Sequence, residues 1–327
     1  MVDRTLRIVF LGTPDFAVPS LKALAQAGYQ VVGVFSQPDR PRDRGQRACS
    51  SPVKCAAVEL GIPVFEFERI RRKEGVAALE ALQPDMMVTA AFGQILSPKV
   101  LDIPRLGCIN VHGSLLPKYR GPAPIQWAII NGETRTGITT MKTDAGIDTG
   151  DMLLRREIDI DPEENAGELF ARLAELGAQT LLETLDALQA GTLTQTPQDH
   201  EASTHFPMLT KEHGRIDWSR SAREIHNQIR GVTPWPGAWT TLDGETVKIW
   251  KTRVSDAEIE PGLVGAVGPC SPLRPGHLVC SIKAGMSVGT GSGSLRIQEI
   301  QMPGKRRLSA RDYLCGLSNS KLPVKFD

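Results

Sequence analysis

The chain has 327 residues, of which 41% are hydrophobic and 23% charged, an ordinary composition for a globular protein of one or two domains. It contains no apolar run near the roughly 18 residues that a membrane span needs. A strand pattern starts at once at the N-terminus, so we expect no signal peptide and a cytosolic protein. Residues 1–206 carry a net negative charge and residues 207–327 a net positive charge, which favours an anionic partner for the second part.

Strand and helix patterns alternate through the first part of the chain. Leu6–Leu11 is a short apolar run, and an amphipathic helix follows it as far as Ala27. Further strands are predicted at Val31–Phe35, Pro63–Phe65, Met86–Ala91, Cys108–Val111 and Thr139–Met141, and helices at Ser51–Leu60, Arg72–Leu82 and Asn165–Gln189. This order predicts an α/β fold with a doubly wound, largely parallel sheet. The first turn lacks G-x-G-x-x-G, which argues against a nicotinamide enzyme.

The second part of the chain has a different pattern. Residues 191–206 are polar without helical period and are predicted to be a linker between domains at 1–190 and 207–327. Beyond it, Ser219–Arg230 reads as a helix, and Asp243-Gly244 marks a hairpin. Further short strands predict a small, mostly β domain, a barrel, with its core anchored by the tryptophans Trp235, Trp239 and Trp250.

Two polar residues interrupt the buried strand in the sequence INVHGSLLP. Asn110 and His112 are two positions apart, so their side chains share one face of the strand. The strand breaks at Gly113, and in open α/β sheets ligands bind beyond the carboxyl ends of the strands. An isolated histidine is more often a core residue, but this position favours a site.

The loop DAGIDTGD, at 144–151, brings aspartates and glycines together after a predicted strand. A solvated turn is one interpretation, because Asp and Gly are common turn residues. The other is that the loop lies beside His112, where a carboxylate would stabilise the protonated imidazole during proton transfer. An amide NH₂ from Asn110 would then donate to a developing oxyanion.

These residues include no Ser or Cys nucleophile. Cys108 is close to the motif but is interpreted as a packing residue, and the six scattered cysteines include no C-x-x-C pair, so neither disulfides nor zinc are expected. The nucleophile is therefore expected to come from the substrate, as an amine that attacks an activated acyl carbon. Water, which would make the protein a hydrolase, remains the alternative.

Two motifs carry a resemblance to a known family. GCINVHGSLLPKYRGPAPIQWAI, followed by DAGIDTGDM, resembles the folate-dependent formyltransferases. FLGTPDFAVPSL, QPDRPRDRGQRACSSPVK and PWPGAW with VKIWK narrow the resemblance to members that act on tRNA. The resemblance covers nearly the whole chain and is weakest near 262–290 and at the end. It implies a Rossmann-like catalytic domain, an OB-like barrel that binds tRNA, and a monomer.

The resemblance also implies an activity. A formyl group would pass from 10-formyltetrahydrofolate to the α-amine of methionyl-initiator-tRNA by direct attack, with no covalent enzyme intermediate and no metal. Asn110, His112 and Asp148 match the catalytic trio, with His112 as acid/base, Asn110 as oxyanion stabiliser and Asp148 orienting His112 and shuttling protons through a water. The implied folate contacts are Ser114, Leu115, Leu116 and Pro117, with Phe92, Gly93 and Ile95.

A basic loop at 39–54 has two interpretations. Such loops are often solvated surface, but the resemblance favours contact with tRNA phosphates, which is electrostatic. The implied contacts are Arg40, Arg42, Arg44 and Lys54 here and Lys305, Arg306 and Arg307 near the C-terminus. Asp43 and Gln46 replace a typical glycine and a common lysine, which makes the loop less basic. A formyltransferase for a small amine and a formyl-folate hydrolase remain open alternatives.

Overall fold

The computed structural model describes residues 4–42, 47–255, 273–281, 285–317 and 322–327. The chain divides into two compact units. The first unit holds residues up to 124 together with 135–159 and 170–208, and the second holds 125–134, 160–169 and 209–327. The units thus interleave along the chain, and the sequential division at 191–206 stays a prediction. In the described part of the chain, none of the helices could cross a membrane.

A seven-stranded sheet organises the described residues of the first unit, in the order β5-β2-β1-β6-β7-β8-β9. The strands are β1 Arg7–Gly12, β2 Gln30–Ser36, β5 Val64–Glu66, β6 Met86–Ala90, β7 Cys108–His112, β8 Arg135–Lys142 and β9 Met152–Asp159, and a separate pair is formed by β3 Arg40–Arg42 and β4 Arg47–Cys49. The first five strands in this order pair in parallel, whereas β8 pairs antiparallel with both of its neighbours, β7 and β9. The predicted, largely parallel α/β fold is confirmed.

Helices lie between these strands along the chain and after the last of them. The helices are α1 Val18–Gln26, α2 Pro52–Glu59, α3 Lys73–Leu82, α4 Pro98–Leu101, α5 Pro124–Ile130 and α6 Ala166–Gln189. Helix α2 begins where expected, because the Ser51 hydroxyl accepts a hydrogen bond from the Lys54 amide and Pro52 occupies the first turn. Phe10, Phe35 and Leu79 are among the fully buried side chains of this unit. Strand β7 lies inside the sheet between β6 and β8, so its carboxyl end is held on both sides.

The second unit contains an antiparallel sheet in the order β10-β11-β14-β13-β12. Its strands are β10 Ala238–Leu242, β11 Glu245–Ser255, β12 Leu278–Ser281, β13 Gly285–Gly289, β14 Ser294–Gln301 and β15 Leu308–Ser309, and its helices are α7 Ala222–Gly231 and α8 Ala310–Cys315. The predicted hairpin is confirmed at Asp243-Gly244, where φ is +52° and +78°, the left-handed pair that a type I′ turn requires.

A C-terminal segment, residues 322–327, joins the two edges of this sheet. The Leu278 amide on β12 donates to the Val324 carbonyl at 2.8 Å, and the Asp327 amide donates to the Thr241 carbonyl on β10 at 3.0 Å. Between them Phe326 stacks on Trp218 with ring centroids 5.3 Å apart. The segment therefore closes the sheet into a barrel and supplies part of its core.

The Gly/Ser-rich stretch near 285–294 is a hairpin that docks on the start of α7. The Ala222 amide donates to the Ser292 carbonyl at 2.9 Å, and the Gly291 amide donates to the Arg220 carbonyl at 2.8 Å. A Cβ at Gly291 would collide with the carbonyl oxygen of Ser219. The small residue is thus required by the close approach of two backbones.

Trp235 does not belong to the core of the second unit. Its side chain is 56% exposed, so the prediction of a buried anchor is wrong. Pro234 and Pro236 flank it in the turn between α7 and β10, away from the inward positions of a strand. Trp218 and Phe326 are the buried aromatic anchors instead.

Candidate active site

Strand β7 presents Asn110 and His112 at its carboxyl end. Asn110 lies beside Thr89 of β6, and the Thr89 hydroxyl donates to Asn110 Oδ1 at 2.9 Å. Because the amide oxygen is occupied in this way, the NH₂ group turns the other way, and Nδ2 lies 3.4 Å from Asp148 Oδ1. A hydroxyl on the neighbouring strand therefore fixes the orientation of the amide.

The imidazole of His112 is buried and held by a backbone carbonyl. Its Nε2 lies 2.9 Å from the oxygen of Tyr119. A carbonyl oxygen only accepts hydrogen bonds, so Nε2 carries the proton and Nδ1 of the neutral ring holds a lone pair. Nδ1 is 3.7 Å from Asp148 Oδ1, longer than a hydrogen bond, as two acceptors require.

Asp148 occupies the point where these side chains meet. Its Oδ1 faces both the Asn110 amide and His112 Nδ1, while its Oδ2 accepts the Gly121 amide at 2.9 Å. Its backbone is left-handed, with φ at +52°, an uncommon conformation for a residue other than glycine. The loop at 144–151 thus lies beside β7 and carries a carboxylate into the site.

This arrangement is suited to acyl transfer to an incoming amine. When His112 Nδ1 takes a proton, the ring becomes a cation whose new N–H faces the Asp148 carboxylate. The negative charge of the carboxylate then stabilises this cation. The Asn110 NH₂ has a second N–H that can donate to an oxyanion. The ring orientation comes from Tyr119 rather than from Asp148, which differs from the role that the resemblance implies.

Comparison with known proteins assigns this chain to a family. The formyl transferase family model matches residues 6–185, and the model of the formyl transferase C-terminal domain matches residues 208–318. A methionyl-tRNA formyltransferase of Geobacter metallireducens is 53% identical over 311 residues, which cover 95% of this chain and 96% of the relative. One of Solibacter usitatus is 50% identical over the same share of both chains. The chain belongs to the methionyl-tRNA formyltransferase family.

Solved structures of lower sequence identity show the same fold. The N-formyltransferase from Helicobacter canadensis, determined with folinic acid and dTDP-3-aminofucose, has a TM-score of 0.65 and 19% identity. The alignment covers 91% of this chain and all of that structure. At this identity the match shows that the two proteins share a fold, and it does not indicate which acceptor this chain uses.

Residues that the family resemblance assigns to folate differ in their exposure. Ser114 and Leu116 are buried, and the Ser114 hydroxyl donates to the Lys118 carbonyl at 2.7 Å, so neither side chain is free for a ligand. Leu115 and Pro117 are half-buried. Ile95, in contrast, exposes 63% of its surface.

Gln37 contacts the stretch of protein backbone that is predicted to bind folate, and the sequence did not single it out. Its Nε2 donates to the carbonyls of Phe92 and Gly93 at 3.2 and 3.1 Å. The Thr13 hydroxyl also donates to the Phe92 carbonyl, at 3.1 Å. The backbone that follows β6 is therefore fixed in position by side chains from two other loops.

The basic residues predicted to contact tRNA have different surroundings. Lys54 Nζ lies 2.8 Å from Asp39 Oδ2 and 2.7 Å from Glu66 Oε2, and these contacts raise the pKa of the lysine. Two carboxylates thus offset its charge and tie it to the start of the loop. Arg40 and Arg42 lie on β3, and Arg44 lies outside the described residues. Near the C-terminus, Lys305 and Arg306 are exposed. Arg307 stacks on Trp250 and pairs with Glu299.

Thr89 and the loop after β7 are functional candidates that sequence reasoning missed. Thr89 is a polar residue near the carboxyl end of an apolar strand, the same signal that identified Asn110 on the neighbouring strand. Tyr119 and Gly121 act through a backbone carbonyl and a backbone amide, for which residue type gives little indication.

Cys108 is expected to be chemically inert in the folded protein. Burial raises the pKa of its thiol to about 12, so only about one thiol in 10⁴ is ionised at pH 8. We predict that iodoacetamide at pH 8 labels the exposed Cys55 and leaves Cys108 unlabelled until denaturant is added, as read by peptide mass spectrometry. Equal labelling rates at the two cysteines in the folded protein would contradict this, as would loss of activity in Cys108→Ala.

Proposed function

We propose that this protein transfers the formyl group of 10-formyltetrahydrofolate to the free α-amino group of methionyl-initiator-tRNA, which produces the formylated initiator of translation. The observation that carries the proposal is the convergence of Asn110 Nδ2 and His112 Nδ1 on one carboxylate oxygen of Asp148. Membership of the family supports the donor, and the names of the relatives at about 50% identity support the acceptor.

The proposed reaction uses the two ring nitrogens of His112 in different ways. The substrate amine attacks the formyl carbon, a C–N bond forms, and the carbonyl oxygen becomes an oxyanion that accepts a hydrogen bond from the Asn110 amide. His112 Nδ1 removes a proton from the attacking nitrogen, while Nε2 stays bonded to Tyr119. The bond between the formyl carbon and N10 of the folate then breaks as Nδ1 returns the proton to N10.

The donor would bind along the ends of β6 and β7. We assign the folate to the backbone of Phe92 and Gly93, fixed by Gln37, and to the segment Ser114–Pro117, through its backbone and the half-buried Leu115 and Pro117. Ile95, which is 63% exposed and follows this backbone, would cover an apolar face of the ligand.

One assay tests the function. Purified protein is mixed with 10-formyltetrahydrofolate and charged initiator tRNA, and formylmethionine and free tetrahydrofolate are both measured. We expect one formylmethionine for each tetrahydrofolate released. Tetrahydrofolate release without formylmethionine would favour a hydrolase, and transfer only to a small amine such as an amino sugar would overturn the assigned acceptor.

The basic loop supplies a further prediction. We expect Arg44→Ala to raise KM for tRNA several-fold at moderate salt, since each phosphate contact adds to affinity, and the effect should shrink as salt increases. Lys54→Ala should alter the salt dependence less, because two carboxylates already offset its charge. An unchanged KM for tRNA in Arg44→Ala would support the solvated-loop interpretation.

The remaining basic residues complete the proposed tRNA contacts. We assign the exposed Lys305 and Arg306 to the phosphate backbone and Arg307 to a position that Glu299 and Trp250 hold in place. Arg40 and Arg42, on β3, belong to the same proposal. We further propose that the protein acts as a monomer in the cytoplasm, where initiator tRNA is used, and light scattering of the purified chain tests the monomer.

A further inference from the structure

Three consecutive residues in the loop after β7 link the site to another segment of the chain. The Tyr119 carbonyl holds His112 Nε2 at 2.9 Å, and the Gly121 amide holds Asp148 Oδ2 at 2.9 Å. Between them, the buried side chain of Arg120 donates to Gln198 in the segment 198–206, which lies within the linker that the sequence predicts at 191–206. We call Tyr119–Gly121 the hub.

The side-chain amide of Gln198 is saturated with hydrogen bonds. Its Oε1 accepts from Arg120 Nε at 3.0 Å and from Arg120 Nη2 at 2.7 Å. Its Nε2 donates to the carbonyls of Asp148 at 2.9 Å and Gly150 at 2.7 Å. An amide offers two N–H groups and two lone pairs, so all four are used and the side chain has a single orientation.

The same segment also holds the hub. Thr204 accepts the Tyr119 amide on its hydroxyl at 2.8 Å and the Arg120 amide on its carbonyl at 2.9 Å. Phe206 stacks on the Tyr119 ring with centroids 5.1 Å apart, and a Cβ at Gly121 would meet the Phe206 carbonyl at 2.9 Å. The hub therefore cannot move without the segment.

Asp148 needs such support because its backbone is left-handed, with φ at +52°. A residue other than glycine persists in that region where its surroundings determine its conformation. The Gly121 amide fixes the carboxylate, and Gln198 fixes the main chain. Together these contacts set the distances from Asp148 to His112 and Asn110.

We propose that Gln198, locked by Arg120, is a positioning residue for Asp148, so that the segment 198–206 is a working part of the active site. The inference rests on the proposed function, since it concerns the geometry of the same transfer. Gln198 touches neither reacting group and acts through the backbone of the loop at 144–151. A misplacement of a reacting group by about 1 Å can cost about 10²-fold in rate.

Two variants at one position separate positioning from stability. Gln198→Ala removes all four hydrogen bonds. Gln198→Glu keeps the acceptor for Arg120 and adds an ion pair, but it replaces the NH₂ by an oxygen that repels the carbonyls of Asp148 and Gly150. We expect both variants to lower kcat by about 10–100-fold with KM for each substrate within about twofold, and Gln198→Glu to melt closer to the wild type than Gln198→Ala does.

Gln228 provides the matched control. It is 7% exposed, against 6% for Gln198, and its Nε2 also donates to two carbonyls, those of His213 and Arg215, at 2.9 and 2.7 Å. It belongs to the second unit. Gln228→Ala should lose stability as Gln198→Ala does and keep the wild-type kcat.

The outcomes are distinct. Wild-type kcat in Gln198→Glu, or an equal loss of kcat in Gln228→Ala, would overturn the positioning role. If Gln198→Ala fails to fold, Gln198→Glu alone decides. A wild-type protein that transfers no formyl group to tRNA would overturn the proposed function and this inference with it, whereas an active wild type with fully active variants would overturn the inference alone.

Discussion

His112→Ala should lower kcat for formyl transfer by about 10³-fold, since general acid–base catalysis contributes about 10²–10⁴-fold. The variant loses the nitrogen that takes the proton from the attacking amine. The Asn110 amide, which also faces Asp148 Oδ1, cannot accept a proton in its place. Binding of tetrahydrofolate, measured by calorimetric titration, should be retained because the ring is assigned to proton transfer. A variant with a rate near wild type would disprove the assignment.

His226 supplies a matched control for this substitution. It is likewise a buried histidine with both ring nitrogens in contact with oxygen, at 3.1 Å from Thr252 Oγ1 and 3.2 Å from the Pro162 carbonyl. Its substitution by alanine should cost stability and leave kcat intact. Loss of activity in His226→Ala as large as that in His112→Ala would indicate a general effect of removing a buried ring.

Asp148→Asn is expected to lower kcat for formyl transfer nearly as much as His112→Ala does. The new side chain can keep the Gly121 contact with its oxygen, but its NH₂ group then faces His112 Nδ1. It would donate to the lone pair that accepts the proton and would offer no negative charge to the imidazolium. The same two assays, transfer and tetrahydrofolate titration, distinguish this loss of chemistry from a loss of binding.

Phe326→Ala should lower the free energy of unfolding of the second unit by about 3–5 kcal/mol. Phe326 is 1% exposed and stacks on Trp218. Truncation would leave a cavity at the point where the C-terminal segment closes the barrel, and the hydrogen bonds to β10 and β12 would lose their anchor. Urea unfolding followed by tryptophan fluorescence measures the change.

Val324 offers a control in the same segment. Its side chain is 67% exposed, and it meets β12 through its backbone, so Val324→Ala should change the free energy of unfolding by less than about 0.5 kcal/mol. A small effect of Phe326→Ala, comparable with that of Val324→Ala, would show that the segment is not needed to close the barrel.

Local patterns in the sequence were sufficient for several features. The alternation of strands and helices predicted the α/β unit, because each pattern extends over a few residues and reports which face is buried. The period of two in a strand placed Asn110 and His112 on one face. Asp243-Gly244 predicted its hairpin, since few residue pairs adopt two left-handed conformations.

Features that depend on distant parts of the chain could not be read in this way. Nothing in the composition of 191–206 shows that Gln198 meets Arg120, 78 residues earlier in the chain. Lys54 is basic in sequence, and only the fold brings Asp39 and Glu66 to it. Trp235 is apolar, and only the position of its turn exposes it.

The sequence by itself determined which chemical groups the site holds: an amide, an imidazole and, through the family resemblance, a carboxylate from a loop about 35 residues further on. The tertiary structure decided how they are used. Backbone groups of Tyr119 and Gly121 select the imidazole tautomer and fix the carboxylate, and a segment that looks like a linker holds both. Every residue has a carbonyl and an amide, so only their placement in the fold can give them a role.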